Sequence, residues 1–246
     1  MSEGLVIIPT YNEKGNIPKV LEKIFSLPVS FDVLIIDDGS PDGTAAVVRE
    51  IMQDSPNRLF LEEREGKQGL GTAYIMGFRW ALERSYKYIF EMDADMSHNP
   101  DDLVRLYETA KNGNDVVIGS RYVKGVNVVN WPIGRVLMSY FASIYVKMIL
   151  GVKIDDTTAG FKCYRREVLE AIDFSQVRFI GYAFQIEMKY TAWKLGFKIK
   201  EIPIIFTDRT EGESKMNRGI FKEAVFGVLS LRFRKYHKAN RAQNKN

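Results

Sequence analysis

The first half of the chain alternates between two hydrophobic periodicities. Short apolar runs rich in β-branched residues are typical of buried strands, and five occur, at Leu5–Ile8, Val33–Ile36, Leu59–Leu61, Tyr88–Met92 and Asp115–Ile118. Stretches with helical spacing lie between them, at Ile17–Leu27, Gly43–Met52, Leu70–Arg84 and Pro100–Lys111. Asp42 and Asn99 stand where they can cap the second and fourth helices. This alternation predicts an α/β fold with a mainly parallel sheet and helices on both faces.

The second half has a less regular pattern. The apolar stretch Trp131–Leu150 is interrupted by Arg135 and Lys147. The uninterrupted part is shorter than the ~20 residues that span a bilayer, so we predict a helix lying on a surface. The elements predicted after it are a helix over Phe184–Leu195, an extended run over Lys198–Phe206, a polar loop over Thr207–Asn217 and an amphipathic helix over Ile220–Tyr236.

The composition is that of a soluble globular protein. The 246 residues suffice for one large domain or two small ones, and 46% are hydrophobic and 27% charged. The single cysteine, Cys163, excludes an internal disulfide and is typical of a reducing compartment. No basic region precedes the first apolar run, so we expect no secretory signal.

The net charge of +4 is unevenly distributed along the chain. No acidic residue follows Glu223, whereas six basic residues do: Arg232, Arg234, Lys235, Lys238, Arg241 and Lys245. Such a tail can be a solvated end, a nucleic-acid arm or a contact for anionic lipid.

Polar clusters follow each of the five predicted strands. Parallel α/β sheets bind ligands at the carboxyl ends of their strands, so these clusters should meet at one edge. They are Pro9–Glu13, Asp37–Ser40, Arg64–Gly71, Asp93–Ser97 and Gly119–Arg121.

Asp93 and Asp95 are the two acidic residues of the cluster that follows the fourth predicted strand. Residues i and i+2 of an extended chain point to the same side, so both carboxylates could approach one hard divalent cation. Aspartates also commonly end strands and begin turns. The residues alone leave both interpretations open.

The glycine-rich loop Gly66–Gly71 fits neither of two stricter phosphate-binding patterns. A dinucleotide fingerprint would place a third glycine at Tyr74, and a P-loop would place one near Leu61. The loop remains the start of a helix, and a helix N-terminus is a plausible anion site.

Other polar residues have a structural and a functional interpretation. Glu13 and Asp38 can bind a base or ribose, or can cap helices and form turns. The loop with Arg209, Glu211, Glu213, Lys215 and Arg218 can bind a diphosphate or be a solvated charged loop. Neither His98 nor His237 has a catalytic partner nearby in sequence, and we predict that His98 is a turn or site-lining residue.

Taken together, the motifs resemble family 2 glycosyltransferases of the GT-A fold, and among them the dolichol- and polyprenol-phosphate mannose synthases. The matching segments are Ile8–Glu13, Ile35–Thr44, Lys67–Gly71, Met92–Pro100, Gly119–Tyr122, Asp156–Phe161, Gly181–Glu187 and Phe206–Lys215. The resemblance implies a glycosyltransferase catalytic domain over residues 1–220, with residues 221–246 as a peripheral amphipathic helix and basic tail of the same domain.

The resemblance also implies a site for GDP-mannose. Its guanosine part would be held by Pro9, Tyr11, Glu13, Ile36 and Asp38, and the sugar nucleotide would also meet Lys67, Gly69, Gly71 and Ala94. Asp93 and Asp95 would flank Mg²⁺ or Mn²⁺ on the diphosphate, with Ser97 as a third candidate ligand where some relatives carry a side-chain amide. The residues facing the phosphates would be Arg121, Arg209 and Lys215. Two acids in the same loop, Glu211 and Glu213, depart from the pattern.

The implied reaction is inverting transfer of mannose to a polyprenyl (dolichyl-type) monophosphate. The implied location is cytoplasmic and peripheral, on an anionic membrane surface or on a separate membrane-anchoring protein. The alternatives are transfer of glucose or another sugar from UDP, a non-catalytic sugar-nucleotide-binding protein, and a membrane- or RNA-binding module. We expect no nucleic-acid partner, because an RNA-binding surface should interleave aromatic and basic residues.

Overall fold

Seven strands form one central sheet in the computed structural model of the chain, which describes residues 2–181, 183–208 and 227–239. The strands are β1 (Gly4–Thr10), β2 (Phe31–Asp37), β3 (Leu59–Glu63), β4 (Tyr88–Glu91), β5 (Val116–Ser120), β7 (Lys162–Arg165) and β8 (Ile199–Pro203). Their order across the sheet is β3-β2-β1-β4-β7-β5-β8. A separate parallel pair is formed by β6 (Val128–Val129) and β9 (Phe206–Thr207).

Helices cover both faces of this sheet. They are α1 (Ile17–Phe25), α2 (Thr44–Asp54), α3 (Leu70–Leu82), α4 (Asp102–Lys111), α5 (Ile133–Leu150), α6 (Arg166–Ala171) and α7 (Ala183–Lys194). Leu5 and Ile7 of β1 pack into a core with α3, α6, α7 and the buried side of α5. The alternate residues Val6 and Ile8 pack into a second core with α1, α2 and α4. The predicted α/β fold with a mainly parallel sheet is confirmed.

The five strands and four helices predicted in the first half are all present, with ends that differ by a few residues. Asp42 accepts a hydrogen bond from the Thr44 N–H at the start of α2, at 2.9 Å. Asn99 accepts one from the Asp101 N–H just before α4, at 3.1 Å. The N-cap residues themselves are Gly43 and Asp101, so the prediction that Asp42 and Asn99 occupy the caps is wrong by one and two residues. Both side chains instead hydrogen-bond the backbone just before the first turn.

The second half contains elements that the sequence did not predict, among them β7 and α6. β7 lies between β4 and β5 and is antiparallel to both. Its first residue, Lys162, pairs with Glu91 of β4 and with Ile118 of β5. The sequence of this strand, KCYR, contains no apolar run. The strand can nevertheless lie inside the sheet, because the charge of Lys162 is paired with that of Glu91.

The remaining predictions for the second half need smaller corrections. α5 begins at Ile133, and the extended run over Lys198–Phe206 is split into β8 and β9. Residues 227–233 are helical, and this helix ends before Tyr236. The predicted start at Ile220 and the polar loop beyond Asp208 lie outside the described residues. The division at residue 220 stays a prediction.

α5 is the one helix in the described ranges that is long and apolar enough, by length and composition, to cross a membrane. Its mean hydropathy is 1.4 and only 17% of it is buried. Its two cations contact the protein: Arg135 pairs with Asp208 at 2.8 Å and Lys147 pairs with Asp155. These contacts favour a helix lying along the surface of the domain.

Candidate active site

The loops after β1 and β2 are joined through Asp37. This buried carboxylate accepts hydrogen bonds from the Thr10 hydroxyl at 2.8 Å and from the Ser40 hydroxyl and N–H at 2.6 and 2.8 Å. The Ser40 hydroxyl accepts in turn from the N–H of Asn12 at 2.9 Å. Asp37 thereby fixes both loops, although the sequence singled out its neighbour Asp38.

Asp38 pairs with Arg64, which follows β3. Arg64 Nε lies 2.6 Å from Asp38 Oδ1, and Arg64 also donates to the Thr72 hydroxyl on α3, at 2.7 Å. Burial raises the pKa of Asp38, and Arg64 offsets this only in part. The pair connects the second and third loops of the edge with the start of α3.

The Asp93–Asp95 turn follows β4 at the middle of this edge. Asp95 Oδ1 accepts the N–H of Ser97 at 3.1 Å, and the Asp93 carboxylate lies 3.8 Å from His98 Nδ1. Partial burial, together with the carboxylates of Asp95 and Glu91, raises the pKa of Asp93. A cation placed here would relieve this repulsion between like charges.

His98 is part of the wall of the site. Its ring is buried, stacks on Phe161 at 4.8 Å between centroids and meets Phe206 edge-on. Its Nδ1 accepts the Asp93 N–H at 3.3 Å, and burial lowers its pKa to about 4. The ring is therefore neutral near pH 7 and holds the Asp93 turn in place.

The turn offers oxygen donors of the kind that Mg²⁺ and Mn²⁺ prefer. Ser97 Oγ is buried and has no hydrogen-bond partner among the described residues. No group of three or more His, Cys, Asp or Glu side chains in those residues is placed to hold a metal ion. Two carboxylates and a hydroxyl fit a cation whose other positions are filled by a ligand's phosphates.

A fully buried ion pair lies behind the turn. Lys162 Nζ and Glu91 Oε2 are 2.7 Å apart, and Gln185 of α7 donates to the same carboxylate at 2.8 Å and accepts from Lys162. A Cβ on Gly160 would lie 3.9 Å from both Asp93 carboxylate oxygens and 3.8 Å from Gln185 Nε2. This pair could not be predicted from the sequence, because Glu91 and Lys162 are far apart in the chain.

Arg121, after β5, forms a two-pronged pair with the buried Asp156. Nε and Nη2 of the guanidinium donate to the two carboxylate oxygens at 2.7 and 2.6 Å, and the Arg121 N–H donates at 2.9 Å. Nη2 also donates to Thr158 Oγ1 at 2.8 Å. Arg121 lies at the predicted edge, held by the motif Asp156–Phe161. Its contact with phosphate stays a prediction.

The structure also places the other residues predicted for the donor. Lys67 Nζ lies 3.6 Å from the centroid of the Tyr11 ring, and Glu13 accepts from the Asn16 side chain at 2.8 Å. Pro9 is half-buried, whereas Ile36 and Ala94 are buried, Ile36 within the core. Arg209 and Lys215 lie outside the described residues.

The glycines of the loop before α3 have a packing role. Gly69 has a φ of +99°, and a Cβ there would lie 3.0 Å from Ile180. A Cβ on Gly71 would lie 2.8 Å from both the Phe179 carbonyl oxygen and the Phe184 ring. The turn therefore needs glycine in order to pack against the segment before α7, whatever ligand it meets.

Arg135, on the first turn of α5, was not predicted as a site residue. Its guanidinium lies 4.1 Å from the Trp131 ring centroid and pairs with Asp208, the residue before Arg209. Trp131 packs edge-on against Phe206, which contacts His98. The signal in the sequence that could have indicated this contact is a lone arginine near the start of an apolar helix.

The comparisons with known proteins agree on one family. The family model described as Glycosyl transferase family 2 matches residues 5–173. The polyprenol monophosphomannose synthase of Mycolicibacterium smegmatis is 47% identical over 224 residues, which cover 91% of this chain and 84% of that protein. The undecaprenyl-phosphate mannosyltransferase of Micrococcus luteus is 45% identical over 224 residues, covering 91% of each.

Solved structures show the same fold at low sequence identity. Glucosyl-3-phosphoglycerate synthase from Mycobacterium tuberculosis, in complex with Mn²⁺, UDP and glucosyl-3-phosphoglycerate, is 18% identical with a TM-score of 0.65, covering 94% of this chain and 78% of that one. Its complex with Mn²⁺ and UDP-glucose gives a TM-score of 0.64 at 19% identity, covering 94% and 77%. The architecture is that of the GT-A glycosyltransferases.

Proposed function

The chain belongs to glycosyl transferase family 2, and from this premise we propose that it transfers mannose from GDP-mannose to a polyprenyl (dolichyl-type) monophosphate. The observation that carries the proposal is the Asp93–Asp95 turn, which lies at the carboxyl edge of the sheet between the Asp38–Arg64 and Asp156–Arg121 pairs. The relatives whose names state mannosyl or phosphomannose chemistry support the choice of sugar and acceptor.

The charge of the acceptor determines what the site must do. A lipid monophosphate is anionic near neutral pH, so its oxygen can attack the anomeric carbon without a strong general base. The protein has to orient two anions and stabilise the departing GDP. The neutral His98 is consistent with this requirement, because it holds the Asp93 turn and removes no proton.

Asp93 and Asp95 would hold Mg²⁺ or Mn²⁺, with Ser97 as a third oxygen donor. The cation would neutralise charge on the diphosphate leaving group. Ala94 would contact the sugar nucleotide, and Arg121, Arg209 and Lys215 would face the phosphates of donor and acceptor. Arg121 could face a phosphate only with the part of its guanidinium that is not bonded to Asp156 or Thr158.

The nucleoside would lie over the first three loops of the edge. Asp38 and Glu13 would accept hydrogen bonds from the base or ribose, and Pro9 and Tyr11 would line the same region. The predicted role of Ile36 is limited to its backbone, because its side chain is fully buried in the core. Lys67 covers the Tyr11 ring and carries a charge complementary to the diphosphate. Gly69 and Gly71 would meet the diphosphate only with backbone atoms, because the side on which a Cβ would lie is filled by the protein at both positions.

Attack by the acceptor oxygen on the face opposite GDP would break the bond between the anomeric carbon and the diphosphate oxygen in one step. An α-linked donor would then give a β-linked mannosyl lipid. NMR analysis of the anomeric configuration tests this step, and an α-linked product would contradict it.

A donor panel is the direct test of the proposed function. The full chain would be assayed with polyprenyl phosphate and Mg²⁺ or Mn²⁺, with GDP-mannose, UDP-glucose and UDP-galactose as competing donors. We expect GDP-mannose to give the highest kcat/KM. Preferential transfer from a UDP-sugar would replace the proposed donor, and absence of transfer from every donor would contradict an enzymatic function.

We further propose that the protein is cytoplasmic and peripheral on a membrane, where a lipid acceptor resides. One face of α5 exposes Ile133, Leu137, Tyr140, Phe141 and Met148, and Phe233 is exposed on the 227–233 helix next to the basic tail. Apolar faces beside basic residues are suited to an anionic surface. A separate membrane-anchoring protein is the alternative occupant of this face.

Sedimentation with anionic vesicles tests this location. Phe141 is 59% exposed, so Phe141→Ser should lower vesicle partitioning about tenfold through lost apolar burial. Trp193→Ser on α7, outside that face, serves as the control. Failure of the wild-type chain to sediment at low salt would favour the anchoring protein over the lipid surface.

A further inference from the structure

The glycine turn (residues 66–71, at the start of α3) packs against residues 176–181 from the second half of the chain. We call these residues the bridging loop. The Gly71 N–H donates to the Ile180 carbonyl at 2.8 Å. Side chains at Gly69 or Gly71 would collide with Ile180 or Phe179. The position of the bridging loop therefore determines the position of the glycine turn.

The opposite side of the bridging loop is held by the C-terminal segment, residues 227–239. A Cβ on Gly227 would lie 2.5 Å from the Phe179 ring. Arg234 donates to the Gln176 carbonyl at 3.0 Å and forms an ion pair with Glu187 of α7. The loop is thus enclosed between this segment and α3.

Glu187 fixes the backbone of the bridging loop directly. Its carboxylate is fully buried, and Oε2 accepts the N–H groups of Arg178 and Phe179 at 3.0 and 2.9 Å, while Oε1 faces Arg234. A buried ion pair contributes little net stability compared with apolar residues of similar size. What this one supplies is a fixed orientation of two loop peptides.

The contacts continue from the glycine turn to the predicted donor site. Arg64 reaches the Gly69 carbonyl at 3.4 Å and the Thr72 hydroxyl at 2.7 Å while it pairs with Asp38. Lys67, within the turn, covers the Tyr11 ring. A continuous series of contacts therefore connects Arg234 with Asp38 and Lys67.

We propose that Glu187 and Arg234 are positioning residues for the nucleoside diphosphate site. Through the bridging loop they hold the glycine turn in the conformation that receives the donor. Neither side chain contacts the donor itself. The inference rests on the proposed function, because it takes the ligand to be a sugar nucleotide.

The test is titration calorimetry of the full chain with GDP and Mg²⁺, without lipid. Arg234→Gln should raise the Kd for GDP by about threefold to thirtyfold, the usual range for residues that act on a site through intervening contacts. Lys235→Gln is the control, because it removes the same charge from an exposed neighbour. Arg234→Lys should restore part of the affinity, since it keeps the charge but loses the forked geometry.

Gly227→Ala gives a second perturbation of the same loop without a change of charge. Its methyl group would press on Phe179, and we expect the Kd for GDP to rise as it does in Arg234→Gln. In transfer assays both variants should raise the KM for the donor and leave kcat within about twofold. A general loss of structure would instead lower the amount of active protein and kcat.

Two results have distinct meanings. If wild type binds GDP and Arg234→Gln, Gly227→Ala and Lys235→Gln all bind it within twofold of wild type, the positioning role is overturned alone. If the wild-type chain binds neither GDP nor UDP, the proposed function falls and the inference with it. Should Arg234→Gln fail to fold, Arg234→Lys and Gly227→Ala decide by the same measurement.

Discussion

Two arginine–aspartate pairs flank the Asp93 turn, and their carboxylates titrate in opposite directions. Burial alone does not separate the pairs: the side chains of Arg64 and Asp38 are 6% and 12% exposed, and those of Arg121 and Asp156 are 10% and 0% exposed. Nevertheless, the pKa of Asp38 is raised, because burial outweighs Arg64. Burial would also raise the pKa of Asp156, but Arg121 and Lys189 lower it below its usual value.

The difference lies in the number of donors around each carboxylate. Asp156 receives both prongs of Arg121 and the Arg121 N–H, and the Lys189 ammonium lies close enough to donate to its carbonyl. Asp38 has Arg64 and a backbone bond from Gln68, and it stands beside the like charge of Asp37. Asp156 is therefore a structural anchor, whereas Asp38 has capacity for a further donor from a ligand.

The largest expected effect is the loss of stability when the Arg121–Asp156 pair is broken. Asp156→Asn leaves the buried Arg121 without its counter-charge, which should lower the free energy of unfolding by about 3–5 kcal/mol. Asp38→Asn should cost clearly less, because the charged form of Asp38 is already disfavoured. Urea unfolding of both variants measures the two losses of unfolding free energy. Equal losses would contradict the proposed difference between the two pairs.

A substitution in the Asp93–Asp95 turn should reduce catalysis and leave stability nearly unchanged. Asp95→Ala should reduce mannosyl transfer about 10²- to 10³-fold, the usual effect of removing one preorganised electrostatic group. Asp54→Ala, an exposed carboxylate at the end of α2, is the control. Transfer at the wild-type rate by Asp95→Ala in the presence of Mg²⁺ would contradict a metal role for this turn.

The two pairs should also respond oppositely to pH. The pKa of Asp156 is depressed in the folded state, so its contribution to stability is present above about pH 4 and is lost as the pH falls through the folded value. The pKa of Asp38 is raised, so its contribution is complete below about pH 4 and declines as the pH rises through the folded value. Each wild-type contribution is measured as the difference from the corresponding asparagine variant. If the contributions of Asp156 and Asp38 changed with pH in the same direction, the proposed difference between the two pairs would be contradicted.

The smallest expected effect concerns the loops on the Asp38 side. Thr10→Val removes one donor from Asp37 and should lower the free energy of unfolding by about 1–2 kcal/mol. The same exchange at Thr109, whose hydroxyl makes a solvent-exposed bond to the Arg105 carbonyl within α4, should cost less than about 0.5 kcal/mol. Thermal unfolding of the two variants tests whether Asp37 holds these loops.

The sequence predicted the Asp38 side of the molecule better than the Asp156 side. β1 to β5 and their helices have regular apolar periods, so the strands and the polar loops that follow them could be placed from the sequence. The edge of the sheet was therefore predictable. The bonds between those loops, such as that of Thr10 with Asp37, could not be predicted. β7 was missed because its core position depends on Lys162 meeting Glu91 across strands far apart in sequence.

The roles of individual polar residues were harder to predict than their positions. Asp37 and Asp38 are adjacent in the sequence, and only the structure separates the residue that ties two loops together from the one that pairs with Arg64. Likewise, the glycines at 69 and 71 suggested phosphate binding, while their packing against Phe179, Ile180 and Phe184 depends on a segment over a hundred residues later. Long-range contacts of this kind leave no periodic signal.

Because β7 runs antiparallel to β5, the segment between the two strands can be considered as a unit for exchange in protein engineering. Because β5 ends and β7 begins at the same edge, with Ile118 opposite Lys162, residues 121–161 leave the sheet and return to it at adjacent points. The excursion carries α5 with its apolar face and the Asp156 anchor, while the loops proposed to hold the nucleotide follow β1 to β4. A chimera that exchanges this excursion for a relative's would alter the face proposed to meet the membrane and keep the proposed nucleotide loops.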